Sequence, residues 1–106
     1  NRPRTKDRSN MNQRIKYRRR YLERSAWLAE IKNRPCADCG GRFAHVAMDF
    51  DHRDGSEKLF SIAFKKAQHS RAILEAEIAK CDVVCANCHR VRTWTRKQAA
   101  LKAEEA

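Results

Sequence analysis

The stretch Lys80–Thr93, KCDVVCANCHRVRT, decides how this chain is read. It carries Cys85 and Cys88 three positions apart, with His89 directly behind them. A second pair, Cys36 and Cys39, lies upstream in PCADCGGRF (Pro35–Phe43), and Asp51-His52 stands between the two pairs. Two CxxC pairs supply four soft thiolates at the spacing that closes around one tetrahedral zinc ion. Because sulfur fills every position, no place remains for water. The ion is therefore expected to be structural, pinning the start of the last helix against the upstream knuckle and the first strand. Gly40-Gly41 offer the backbone freedom that so tight a knuckle needs.

Size and charge fit a stapled module with a basic arm. The chain has 106 residues, and the part that holds the Cys and His residues is short enough to need a metal to supplement its core. We divide it into residues 1–34, a basic arm and helix, and residues 35–106, the module. The five cysteines are an odd number arranged as two close pairs. This argues against a secreted disulfide framework and for zinc in a reducing compartment. Cys81, the unpaired one, reads as a plain buried thiol. Net charge is +11, unevenly spread: residues 1–34 carry twelve Lys/Arg against three Asp/Glu, residues 35–106 twelve against ten. That asymmetry points to a polyanion partner for the arm. No apolar run is long enough to cross a membrane and no signal-peptide pattern is present, so a cytoplasmic location is expected. The chain opens at Asn1 rather than Met, as a fragment would.

Along the chain, Asn1–Ser9 reads as disordered in isolation. Asn10 is a candidate cap for a helix to about Asn33, with Met11, Ile15, Leu22, Ala26 and Ala29 at helical spacing and Pro35 as its stop. Arg14, Lys16, Arg18, Arg19, Arg20 and Arg24 stud this helix; so many like charges repel unless an anion lies near, which favours contact with phosphates over a merely solvated face. Trp27, Leu28 and Ile31 are expected to dock it on the module. Val46–Asp51 alternates with the period of a half-buried strand, Val46, Met48 and Phe50 facing one way and Asp49 and Asp51 the other. Arg71–Lys80 reads as a helix capped by Ser70 or Gln68, with Ile73, Leu74 and Ile78 as its apolar stripe. Asp82–Cys85 reads as a short strand, and Cys88 or His89 as the start of a last helix toward Leu101. Lys58–His69 is ambiguous, either semi-extended or a short helix.

If the two strands pair antiparallel, Asp51 and His89 approach each other. One carboxylate and one imidazole with open positions suit a hydrated Mg²⁺ or Mn²⁺ ion. His52, beside Asp51, is then placed to take a proton from water, as hydrolysis near neutral pH requires. The alternative also stands at this level: His89 as a helix cap or spare zinc ligand, and Asp51-His52 as a local turn contact.

MDFDH (Met48–His52), CANCH (Cys85–His89) and RVRT (Arg90–Thr93) together resemble the HNH endonuclease family in its zinc-containing bacterial and phage branch. The resemblance covers about Pro35–Trp94. It implies an α+β chain with the ββα-metal fold, two antiparallel strands and a helix around one catalytic divalent ion, and it implies cleavage of double-stranded DNA. In that likeness His52 matches the general base, Asp51 and His89 the metal ligands, and Asp49 an acidic position supporting the metal site from behind. Where the family carries its middle Asn, which braces the loop holding the base, this chain has Lys80, a candidate phosphate contact. The Asp54–Ile78 insertion is longer than in minimal members of the family, so the resemblance assigns no role to any residue of it. Arg90, Arg92 and Arg96 on the last helix are expected to grip phosphates beside the cut, Arg92 and Arg96 sharing a face, or else simply to solvate the helix end. Three functions follow from these expectations: a metal-dependent DNA endonuclease, a non-catalytic zinc module that binds nucleic acid or a protein, and a nuclease subunit of a larger complex such as a phage packaging terminase or a restriction enzyme.

Overall fold

In the computed structural model, residues 2–105 are described, with side chains described from Asn10 to Glu105. The elements run α1 (Arg2–Ile31), β1 (Met48–His52), α2 (Ile62–Lys65), α3 (Arg71–Ile78), β2 (Cys81–Cys85) and α4 (Ala86–Glu105). The result is a small α+β fold around a two-stranded antiparallel sheet. Its register pairs Met48 with Cys85, Phe50 with Val83, Asp51 with Asp82 and His52 with Cys81.

The core is formed where alternation and the cysteines meet. Met48, Val83 and Val84 are buried with Cys36 and Cys85, and Phe50 and Cys88 pack against them. The strand starts later than the alternation suggests. His45–Ala47 forms a single tight 3₁₀ turn that leaves Val46 80 % exposed, so Val46 is not part of the apolar face. The acidic face of β1 is partly covered by α4: Asp51 is buried, while Asp49 stays half exposed. β2 begins one residue early, at Cys81.

The last helix begins at Ala86, ahead of the expected Cys88 or His89. Cys85 stands at its N-terminus, and its Sγ accepts the Cys88 backbone N–H at 3.4 Å. A sulfur thus takes the place of an oxygen at the helix cap, answering one of the unpaired N–H groups of the first turn. α3 is capped by Ser70, whose Oγ accepts the Ile73 N–H at 3.3 Å. Its inner face differs from the expected stripe: Ile73 is half exposed, and Leu74 and Glu77 are buried. The ambiguous Lys58–His69 segment contains the one-turn helix α2.

α1 starts at Arg2, so Asn10 is not its cap and residues 2–9 are helical; Asn1 lies outside the described residues. Met11, Ile15 and Leu22 are exposed. Among the described side chains of α1, those of its C-terminal part dock. Leu28 is buried, Lys66 stacks over the Tyr21 ring at 4.2 Å, and Arg71 stacks over Trp27 at 4.5 Å. Among the described residues no helix is long and apolar enough to cross a membrane.

Candidate metal centres and catalytic cleft

The knuckle turns because Gly40 adopts φ 74°, a left-handed conformation that costs glycine nothing. Its N–H donates to the Cys36 carbonyl at 2.9 Å, and Ala37 N–H donates to the Val83 carbonyl at 3.0 Å, tying the knuckle to β2. Gly41 is constrained by space instead, since a Cβ there would lie 2.8 Å from the Phe43 ring. The outcome is a cluster in which the sulfurs of Cys36, Cys39, Cys85 and Cys88 all lie within 4.8 Å of one another. Sulfurs about 2.3 Å from a tetrahedral zinc would be about 3.8 Å apart, and Cys39 Sγ lies 4.0 Å from Cys85 Sγ. The donor set and the spacing fit one structural ion such as zinc. Burial acts to raise the Cys36 thiol, but the N–H groups of Cys39, Cys85 and Asp38 bring it down to about 6. Hydrogen bonding with Cys85 and burial push Cys88 up to about 12. Holding all four as thiolates therefore calls for a cation among them. Cys81 stays outside the cluster, half-buried, its thiol raised to about 11 by burial and by the nearby Glu77.

A cleft of about 510 Å³ is lined by residues that include Asp49, Asp51, His52, His89, Lys32, Lys58 and Arg96. His89, in the first turns of α4, bridges the two strand carboxylates. Its Nδ1 lies 2.9 Å from Asp49 Oδ2 and its Nε2 3.4 Å from Asp51 Oδ1. A carboxylate on one ring nitrogen orients the other toward a metal. Ligand atoms on adjacent corners of an octahedron of about 2.1 Å radius are about 3.0 Å apart, close to the separation of His89 Nε2 and Asp51 Oδ1. Asp51 and His89 thus offer one carboxylate and one imidazole to a cation, and Asp49 lies behind the ring.

Asp51 is also gripped by α4. Arg96 donates from Nη1 to Oδ1 and from Nη2 to Oδ2, both at 2.8 Å, and Arg92 Nη1 donates to Oδ2 at 2.9 Å. Burial alone would raise the Asp51 carboxyl, but these guanidiniums hold it below the usual carboxylate range. Arg92 further binds Asp38 through two short bonds of 2.7 and 2.6 Å and reaches Asp82 at 3.0 Å. Arg92 and Arg96 thus share a face as their spacing implies, but that face turns toward carboxylates; Arg90 is exposed. An ion bound at Asp51 must share it with these guanidiniums or displace them.

His52 is buried at the end of β1. Its Nε2 lies 2.7 Å from Oε2 of Glu77 on α3. Sequence reasoning missed Glu77: it sits in the insertion, 25 positions from His52, and the one signal that could have found it is a carboxylate at a position that helical periodicity assigns to the core. Lys80 does not stand free for phosphate. Its Nζ donates to Glu77 Oε1 and to the Glu57 carbonyl, both at 2.9 Å. Arg53, next to His52, donates to the Cys81 carbonyl at 2.8 Å and to that of Ala79. Along α1, Arg14, Lys16, Arg18, Arg19 and Arg20 are exposed, while Arg24 is half-buried.

No family model, curated protein or solved structure matches the chain. Its functional reading rests on the geometry of this cleft and on the chemistry of the residues that line it.

Proposed function

We propose that the chain is a metal-dependent endonuclease of the HNH type that hydrolyses DNA phosphodiester bonds. The observation that carries this reading is the convergence of Asp51, His89 and His52 in one cleft, backed by a separate four-cysteine cluster. A pure binding module has no use for that convergence. In this reading Asp51 and His89 hold a Mg²⁺ or Mn²⁺ ion, Asp49 orients His89, and zinc occupies the cysteines. The divalent ion, when bound, supplies positive charge next to the scissile phosphate and the leaving oxygen. His52 takes a proton from the attacking water. Lys58 and Lys32 line the cleft and offer cations to the backbone on either side, and the exposed arginines of α1 extend the contact along the duplex.

The test is plasmid nicking with Mg²⁺ or Mn²⁺. Wild type is expected to nick and His52→Ala to lose at least about 10²-fold in rate, the low end of what a general base contributes. Equal cutting by both proteins would remove His52 from this role.

The grip of Arg92 and Arg96 on Asp51 favours a second reading, a zinc-stapled module that binds nucleic acid without cutting it. Wild type that binds DNA but nicks nothing under any divalent ion would support it. Cutting that appears only when a further subunit is added, such as a phage packaging terminase, would make the chain the nuclease component of a larger complex.

A further inference from the structure

Glu77 occupies a position in α3 where an apolar residue would ordinarily sit. It is 1 % exposed, and a carboxylate so deeply buried is costly unless its oxygens are answered. Both are. Oε1 accepts Lys80 Nζ at 2.9 Å. Oε2 accepts the Leu59 backbone N–H at 3.0 Å and lies 2.7 Å from His52 Nε2. Burial pushes the Glu77 carboxyl up, but the bonds from Lys80, Leu59 and His52 prevail and bring it down to about 2. The group is therefore ionised near neutral pH and can only accept. The short contact with His52 then requires the proton to be on Nε2. In a neutral ring the lone pair is left on Nδ1. Among the described residues Nδ1 has no hydrogen-bond partner, it is not among the atoms buried without one, and His52 lines the cleft.

We propose that Glu77 is the positioning residue for His52: it selects the Nε2–H tautomer and fixes the ring so that Nδ1 presents its lone pair to the cleft. Lys80 holds Glu77 in turn. By also bonding the Glu57 carbonyl, it ties down the loop that follows His52, so Glu77 and Lys80 together brace the base from α3 and its C-terminal end. The catalytic consequence rests on the nuclease reading; the tautomer and the orientation do not.

The experiment uses the full zinc-loaded chain. Nitrogen-15 NMR of the neutral His52 ring is expected to show a protonated Nε2 and a pyridine-like Nδ1. In Glu77→Gln, which keeps the volume and one acceptor oxygen but loses the charge, this preference weakens. With DNA at saturation, kcat falls about 10-fold to 10²-fold while KM stays within about twofold, the range typical of groups that orient a catalytic residue through a hydrogen bond. Glu77→Asp, which retains the charge at shorter reach, recovers part of the loss. Zinc content and circular dichroism confirm that each variant is folded. A protonated Nδ1 in wild type overturns the proposal, and so does a folded Glu77→Gln with wild-type tautomer and kcat, the result expected if Glu77 only fastens α3 to the sheet. If wild type cuts no DNA, the nuclease reading falls, and the ring tautomer in wild type and Glu77→Gln decides the positioning role by itself.

Discussion

At the scale of single residues, the cleft is governed by which cation holds which carboxylate. Asp51 is buried, and its two oxygens are shared by Arg96 and Arg92. Charge-assisted, bidentate bonds of this kind are the strong ones, so the arginines would compete for the same oxygens with the divalent ion proposed there. Arg96→Ala should therefore bind Mn²⁺ about tenfold more tightly than wild type, a difference of about 1.4 kcal/mol. Calorimetric titration reads this directly, and unchanged affinity would mean that the guanidinium moves aside at no cost. Glu77 makes a prediction about acid. Its carboxyl titrates at about 2 in the folded chain against an ordinary value of 4.5. A depressed acid contributes stability that is complete above its unfolded value and is lost as pH falls toward the folded one. The stability gap between wild type and Glu77→Gln should thus shrink as pH falls from 4.5 toward 2. Urea unfolding at a series of pH values measures it; a gap that widens in acid would contradict the sign.

At the scale of elements, the unit that matters is the strand pair plus the start of α4. Cys85 ends β2, contributes to the cysteine cluster and caps α4, so one ion at the sulfurs would fix the angle between sheet and helix on which the meeting of Asp51 and His89 depends. Removing zinc with a strong chelator should abolish cooperative thermal unfolding, because the binding energy of a structural ion is folding energy in so small a unit. A sharp transition surviving in metal-free protein would show that the apolar core suffices. That core is slight. Val84 is fully buried within it, and Val84→Ala should cost about 2 kcal/mol in urea unfolding, between the values for removing one methyl and for truncating Leu to Ala. The elements also show why parts of the sequence were hard to read. The apolar stripe of α1 had the right period, yet Met11, Ile15 and Leu22 meet solvent, since periodicity reports that a helix can bury a face but not that a partner lies there. Asp49 and Asp51 were expected on one face of a strand, and that face is the one His89 bridges.

At the scale of the whole molecule, the chain measures 66 × 34 × 22 Å, with α1 extending well beyond the module. A helix of this length runs about 45 Å at 1.5 Å per residue, enough to follow a duplex for more than one turn of backbone. Its basic residues lie at several angles around the axis, so not all can face one duplex. Replacing Arg14, Lys16, Arg18, Arg19, Arg20 and Arg24 together by Ala should therefore weaken DNA binding and reduce the slope of log affinity against log salt by about 3, short of the value if all six touched phosphates. Fluorescence anisotropy over a range of salt concentrations gives the slope, and an unchanged slope would place the arm off the DNA.

What followed from the sequence alone were the features that obey local rules. Thiol pairs three positions apart, alternation within Val46–Asp51 and a helix opening near CANCH are each set by the geometry of a few neighbouring residues, and they sufficed for the cysteine cluster, the two strands and the last helix, though not for the strand and helix starts or for the antiparallel pairing. Tertiary structure alone decided the ionic pairings. His52 and Glu77 are 25 positions apart, and Arg92 and Arg96 stand 41 and 45 positions from Asp51. No periodicity encodes such distances. Which of the many charged side chains meet depends on how α3 and α4 pack on the sheet, and it is the cost of burying a charge without a partner that selects these pairs.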